Sequence, residues 1–127
     1  MLNYVTVGSN RLEEAKPFYD ALLVLAGMTP MVEHPSGGRV YAAPDQRMFA
    51  VVGPFDGEAA TVGNGAMIGF TFDTRAKVAD FHAKAVALGG TCEGAPGLRG
   101  PEEIGAYFAY FRDLDGNKFC AYRIGAE

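Results

Sequence analysis

At 127 residues the chain suits a single domain, long enough to bury roughly two-thirds of its unfolded surface and so to fold without staples. Its 49% hydrophobic and 20% charged residues are ordinary, and a net charge of −4 with no basic run sets nucleic acid aside as a partner. The longest apolar run, residues 21–28, falls far short of the ~20 residues a bilayer span requires.

The opening "MLNYVTVGS" reads directly as a strand, predicted over residues 2–8. No charged lead with an apolar signal core precedes it, so the expectation is a cytoplasmic protein. Cys92 and Cys120 are too few and too far apart for a disulfide framework or a CxxC zinc site, and both are expected as free thiols. "SNRLEEAKPFYDALLVLAG" reads as a helix, with Asn10 as cap, Glu13 three residues on, and Leu12, Ala15, Tyr19, Leu22, Leu23 and Ala26 at helical spacing. Gly27 is its stop. Pro17 removes one helical hydrogen bond at a cost of ~3 kcal/mol, which predicts a kink or a loose first turn. Strands are predicted near 30–34, 38–43 and 47–53, joined by the turns "HPSGGR" and "PDQR". Residues 53–65, "GPFDGEAATVGNG", have no periodicity and read as a linker.

The same order of elements then recurs. A strand is predicted at 66–72, and a helix at 73–90 capped by Asp73 or Thr74, with Val78, Phe81, Ala85 and Leu88 on its apolar face and Gly89 and Gly90 at its end. Strands near 91–94, 106–112 and 118–124 follow. At a shift of 63, Phe18 meets Phe81, Leu25 meets Leu88 and Gly27 meets Gly90. The predicted architecture is α+β: two tandem βαβββ modules in one domain, about 1–53 and 66–127 with a linker at about 54–65, their mixed sheets forming a curved trough. Concavities of that kind are where ligand sites form. Pseudo-twofold symmetry brings four side chains to the trough: Tyr4 matched to Met67, and Phe49 matched to Cys120.

Three segments, "NRLEEAKPFYDALL" with its opening strand, "PFDGEAATVGNGAMIGF" and "YFRDLDGNKFCAYR", resemble the vicinal oxygen chelate superfamily, which includes glyoxalase I, bleomycin-resistance proteins, fosfomycin-resistance enzymes and extradiol dioxygenases. The hairpin with Asp113, Asp115, Gly116 and Asn117 is the most specific of them. In metal-using members the ligands are a His on the first strand, a His on the first strand of the second module and a Glu four residues beyond the Asp-Gly turn. The resemblance puts Tyr4, Met67 and Cys120 at those positions, and Phe49 near an optional fourth. A phenol, a thioether and a single thiol suit neither hard cations nor imidazole–carboxylate metals, so no catalytic metal and no cofactor are expected. The resemblance also implies pairing into a homodimer.

The remaining candidates are few. His34, before Pro35, reads as a turn residue, and His82 falls off the apolar stripe of its helix, so a solvated or rim position is expected for it. No Ser-His-Asp arrangement can be assembled, and "GNG" at 63–65 is no dinucleotide fingerprint. Cys120 shares its strand face with Lys118 and Tyr122; it reads as a small buried residue first and as a nucleophile second. Arg99 is a candidate to meet an anionic ligand, and Glu103, or Glu102, a candidate base. Tyr107 and Tyr110 have opposite parity, so one faces the trough and the other the helix side; the sequence leaves open which, and Tyr107 stands as the candidate lining. The leading expectation is a protein that holds a small organic ligand against Tyr4, Phe49, Met67, Cys120, Tyr107 and Arg99 without chemistry, as bleomycin-resistance proteins do. The alternatives are a glyoxalase-like lyase, and a dimeric scaffold with a vestigial site.

Overall fold

The computed structural model describes every residue, Met1 to Glu127, as two compact units, Met1–Gly63 and Asn64–Glu127. The first contains β1 (Tyr4–Gly8), α1 (Leu12–Leu23), β2 (Thr29–Glu33), β3 (Arg39–Ala42) and β4 (Met48–Val52). The second contains β5 (Ile68–Thr71), α2 (Arg75–Ala87), β6 (Thr91–Leu98), β7 (Ala106–Arg112) and β8 (Lys118–Ile124). Each unit is a βαβββ module with one four-stranded mixed sheet, in spatial order β1-β4-β3-β2 and β5-β8-β7-β6. The first strand of each module runs parallel to the last, and the other neighbours are antiparallel.

Helix α1 forms on the predicted stripe: Ala15, Phe18, Tyr19, Leu22 and Leu23 are buried. Pro17 stands inside the helix without ending it. The expected cap is corrected. Asn10 does not cap; Arg11 occupies the N-cap position with no side-chain bond. The Asn10 amide instead clamps the segment after β4, donating to the Ala60 carbonyl at 2.9 Å and accepting from the Ala60 N–H at 2.7 Å. A longer-range partner outcompeted the local one. Gly27 ends the element in the left-handed region, at φ 75°, after one 3-10 turn over Val24–Ala26.

Under α1 the core is aromatic: the Tyr19 ring lies 4.9 Å from that of Phe49 and 6.4 Å from that of Tyr41. Tyr41 is fully buried, and its hydroxyl donates to Asp20 Oδ1 at 2.7 Å. Asp20 also takes Arg39 at 2.7 Å, so this buried phenol is satisfied by an ion-paired carboxylate. Burial and the Asp20 carboxylate both push the Tyr41 pKa up.

In module two, Thr74 rather than Asp73 caps α2, its hydroxyl accepting from the Lys77 N–H at 3.1 Å. Phe81 on α2 reaches Phe70, Phe72 and Phe111, with ring centroids 5.0–5.8 Å apart. The β7–β8 turn is held by Asp113, which is buried and accepts from the backbone N–H groups of Asp115 at 2.9 Å and Asn117 at 2.8 Å. Gly116 supplies the positive φ of 93° that this turn needs. No helix is long and apolar enough to cross a membrane.

Candidate functional site

Strand alternation divides module two's sheet into two chemistries. Phe111 and Phe119 face α2 with Phe81. The opposite face carries Lys118, Cys120 and Tyr122 of β8 beside Phe108 and Tyr110 of β7, since Tyr110 pairs with Cys120 and Phe108 with Tyr122. Gly69 of β5 completes the row, pairing with Cys120 from the other side. Three rings on this face lie nearly parallel. Phe108 stacks on Tyr122 at 5.1 Å and 12°, and on Tyr110 at 5.9 Å and 18°.

Glycines make room for this row. A Cβ on Gly94 would stand 2.9 Å from the Tyr110 ring and 3.3 Å from the Arg99 guanidinium, and one on Gly97 would stand 3.1 Å from Arg99. A Cβ on Gly69 would stand 3.1 Å from both Cys120 Sγ and the Tyr122 ring. Bare backbone lets Arg99 fold back on β6, which it follows, donating to the carbonyls of Gly97 at 2.8 Å and Ala95 at 2.7 Å. Its guanidinium carbon then lies 5.5 Å from the centre of the Tyr110 ring, and Lys118 Nζ lies 5.6 Å from the same centre.

Two of the residues expected on this lining face the helices instead. Tyr107 is on the α2 side of β7, its ring 5.3 Å beneath the Arg75 guanidinium, and Tyr110 is the tyrosine on the Cys120 face. Phe49 packs beneath α1 against Tyr19. The reason is a one-residue error of register. Val5 pairs with Phe49 and Ile68 pairs with Phe119, so Phe119 is the equivalent of Phe49, and the equivalent of Cys120 is Ala50. In a strand one residue exchanges the faces. Tyr4 opens β1 exposed, paired with Met48, and Met67 stands equally exposed just before β5. Glu103 is exposed in the turn between β6 and β7 and Glu102 lies 3.8 Å from Arg75.

The donor chemistry at Tyr4, Met67 and Cys120 does not fit a divalent metal. Tyr4 and Met67 offer a phenol and a thioether. Cys120 is buried, and that burial pushes its thiol above the usual range, outweighing the Lys118 ammonium. A metal-binding or nucleophilic thiol needs the opposite shift. Nowhere in the chain do three His, Cys, Asp or Glu side chains gather in a way that could hold a metal ion.

Two further features were not legible in the sequence. In module one, Thr6 and Gly8 of β1, the His34–Ser36 turn and the segment around Ala60 line a cleft of about 740 Å³. Ser36 Oγ accepts from the Gly53 N–H at 2.9 Å and lies 2.8 Å from His34 Nδ1, tying the two sides together. Residues 53–65 lack periodicity, and only an Asn10 freed from capping would have hinted at this packing. In module two, His82 is buried rather than solvated: its Nε2 lies 3.3 Å from Sγ of the exposed Cys92, and its ring stands edge-on to Phe111. Burial lowers its pKa and keeps the imidazole neutral.

The sequence model described as "Glyoxalase/Bleomycin resistance protein/Dioxygenase superfamily" matches residues 1–121. Among solved structures, a glyoxalase/bleomycin resistance protein from Albidiferax ferrireducens T118 is 43% identical, with a TM-score of 0.84 over 96% of this chain and 97% of that one. The hypothetical protein SA1046 from S. aureus is 23% identical, with a TM-score of 0.72 over 96% and 91%. A lactoylglutathione lyase from Agrobacterium tumefaciens is 20% identical, with a TM-score of 0.69 over 96% and 92%. The last two establish likeness of fold. No curated protein matches the chain.

Proposed function

Because the chain belongs to the glyoxalase/bleomycin resistance protein/dioxygenase superfamily, we propose that it binds a small organic molecule on the open face of its second sheet without the help of a catalytic metal. The observation that carries this reading is the exchange of chemistry at one face. Where the resemblance calls for a carboxylate ligand stands the buried, undissociated thiol of Cys120, and around it stand the stacked rings of Phe108, Tyr110 and Tyr122. Half-buried rings on a sheet give contact area to a ligand, and a thiol held protonated gives neither a nucleophile nor a metal ligand. Glu103, the remaining acid–base candidate, is exposed in a turn.

A ligand that binds only the folded protein must raise its melting temperature, by about 2.7 kcal/mol of stability at a hundredfold excess over Kd. Chelator-treated protein screened against small organic acids and their neutral analogues should therefore show at least one rise of several degrees. Rises seen only after a divalent metal is restored would overturn the reading.

A further inference from the structure

The pairing of charges across the chain singles out the same face. Of the eleven Lys and Arg residues, eight have a carboxylate partner within ion-pair distance. The three without one are Lys84, Arg99 and Lys118. Lys84 lies exposed in the last turn of α2, where the helix dipole favours a cation. Arg99, just past the end of β6, and Lys118 of β8 each lie over the same ring, Tyr110. A chain with an excess of acid has thus left two cations uncompensated at one end of its aromatic row.

We infer that this row is built for a planar organic anion, an aromatic or conjugated carboxylate, whose ring extends the Phe108–Tyr110–Tyr122 stack and whose charge is met by Arg99 and Lys118. An anion beside that ring would supply the counter-charge that neither cation finds within the chain. Arg99 is already oriented by the carbonyls of Gly97 and Ala95, and a guanidinium has five N–H donors, so others remain for a carboxylate. The cradle is formed in the protein itself: Gly94 and Gly97 leave the space that Arg99 and Tyr110 occupy. The Tyr110 and Tyr122 hydroxyls have no hydrogen-bond partner within the protein and are free to order a second polar group on the ligand.

This inference rests on the proposed binding function and narrows it to a ligand class. Titration of 2-naphthoate and of its neutral analogue 2-naphthamide into chelator-treated protein separates the two claims. The naphthoate should bind, and about tenfold or more tightly than the amide, since only the anion completes a charge-assisted contact. Arg99→Gln and Lys118→Gln should each cut naphthoate affinity by about tenfold while leaving the amide unaffected, and Arg99→Lys should restore part of the loss. Circular dichroism establishes that each variant is folded. Equal affinity for acid and amide, or wild-type affinity in both Gln variants, would overturn the inference while leaving metal-free binding intact. Binding of the naphthoate only after Zn²⁺ or Ni²⁺ is added would overturn the proposed function. Failure of the naphthoate to bind, with the same substitutions breaking an oligomer in sedimentation, would assign the row to an interface between copies and overturn the inference.

Discussion

Cys120 and Cys92 show how the same side chain takes opposite characters from its surroundings. Cys120 is 2% exposed between Gly69 and Tyr110, and burial raises its pKa. Cys92 is exposed on β6, with the neutral His82 imidazole 3.3 Å from its sulfur. The thiolate is the reactive form, so a disulfide reagent at pH 7–8 should titrate Cys92 rapidly and Cys120 only slowly. The rate at Cys120 should climb only at a pH above the usual thiol range, because its raised pKa delays dissociation. Assigning the fast thiol by comparing Cys92→Ser with Cys120→Ser checks this. A fast Cys120 would contradict the account of it as a protonated wall of the site. The sequence placed Lys118, Cys120 and Tyr122 on one face, because alternation along β8 is a local property. It could not choose between Tyr107 and Tyr110, since that depends on which side of β7 the helix covers.

Among the elements, the β7–β8 hairpin shows most clearly how turn chemistry fixes a site. Asp113 accepts from the Asp115 and Asn117 N–H groups and from the Asn117 side chain at 2.9 Å, and its own N–H donates to the Asn117 carbonyl. The turn sets the register that puts Tyr110 opposite Cys120. Asp113→Ala leaves two half-buried N–H donors without their acceptor and should cost about 1–3 kcal/mol, read as a lower denaturant midpoint with an unchanged slope. Turn residues, helix stripes and most strand bounds were legible because they follow from local preference. The far part of β6 was not. It runs to Leu98, past the expected end near 94, with irregular register between Cys92 and Gly94 and between Gly94 and Gly97. Glycine and proline in "GAPG" argue for a loop by local rules, and here they form a bulged edge strand that makes room for its neighbours' side chains. In module one the outer strand β2 is exposed along its whole length, and Pro30 and a register shift near it blunt that edge.

For the whole molecule, the repeated order of elements was visible in the sequence, and the architecture of each module follows it, helix on one face of a mixed sheet. The shift that superposes the last strands was not visible, because it depends on two connecting segments of unequal length. The correct pairing, Phe49 with Phe119, puts a large ring under each helix and frees the next position in β8 for the site. The chain shares its superfamily with enzymes, yet the face of its second sheet away from α2 carries rings, two cations and a silent thiol. Fold alone does not decide between those uses; the side chains at the site do. Elemental analysis of protein purified without added metal or chelator is the most direct measurement of that difference. The account predicts nickel, zinc, manganese and iron at a small fraction of one ion per chain. A single tightly held ion per chain, lost together with ligand binding when Tyr4, Met67 or Cys120 is replaced, would contradict it.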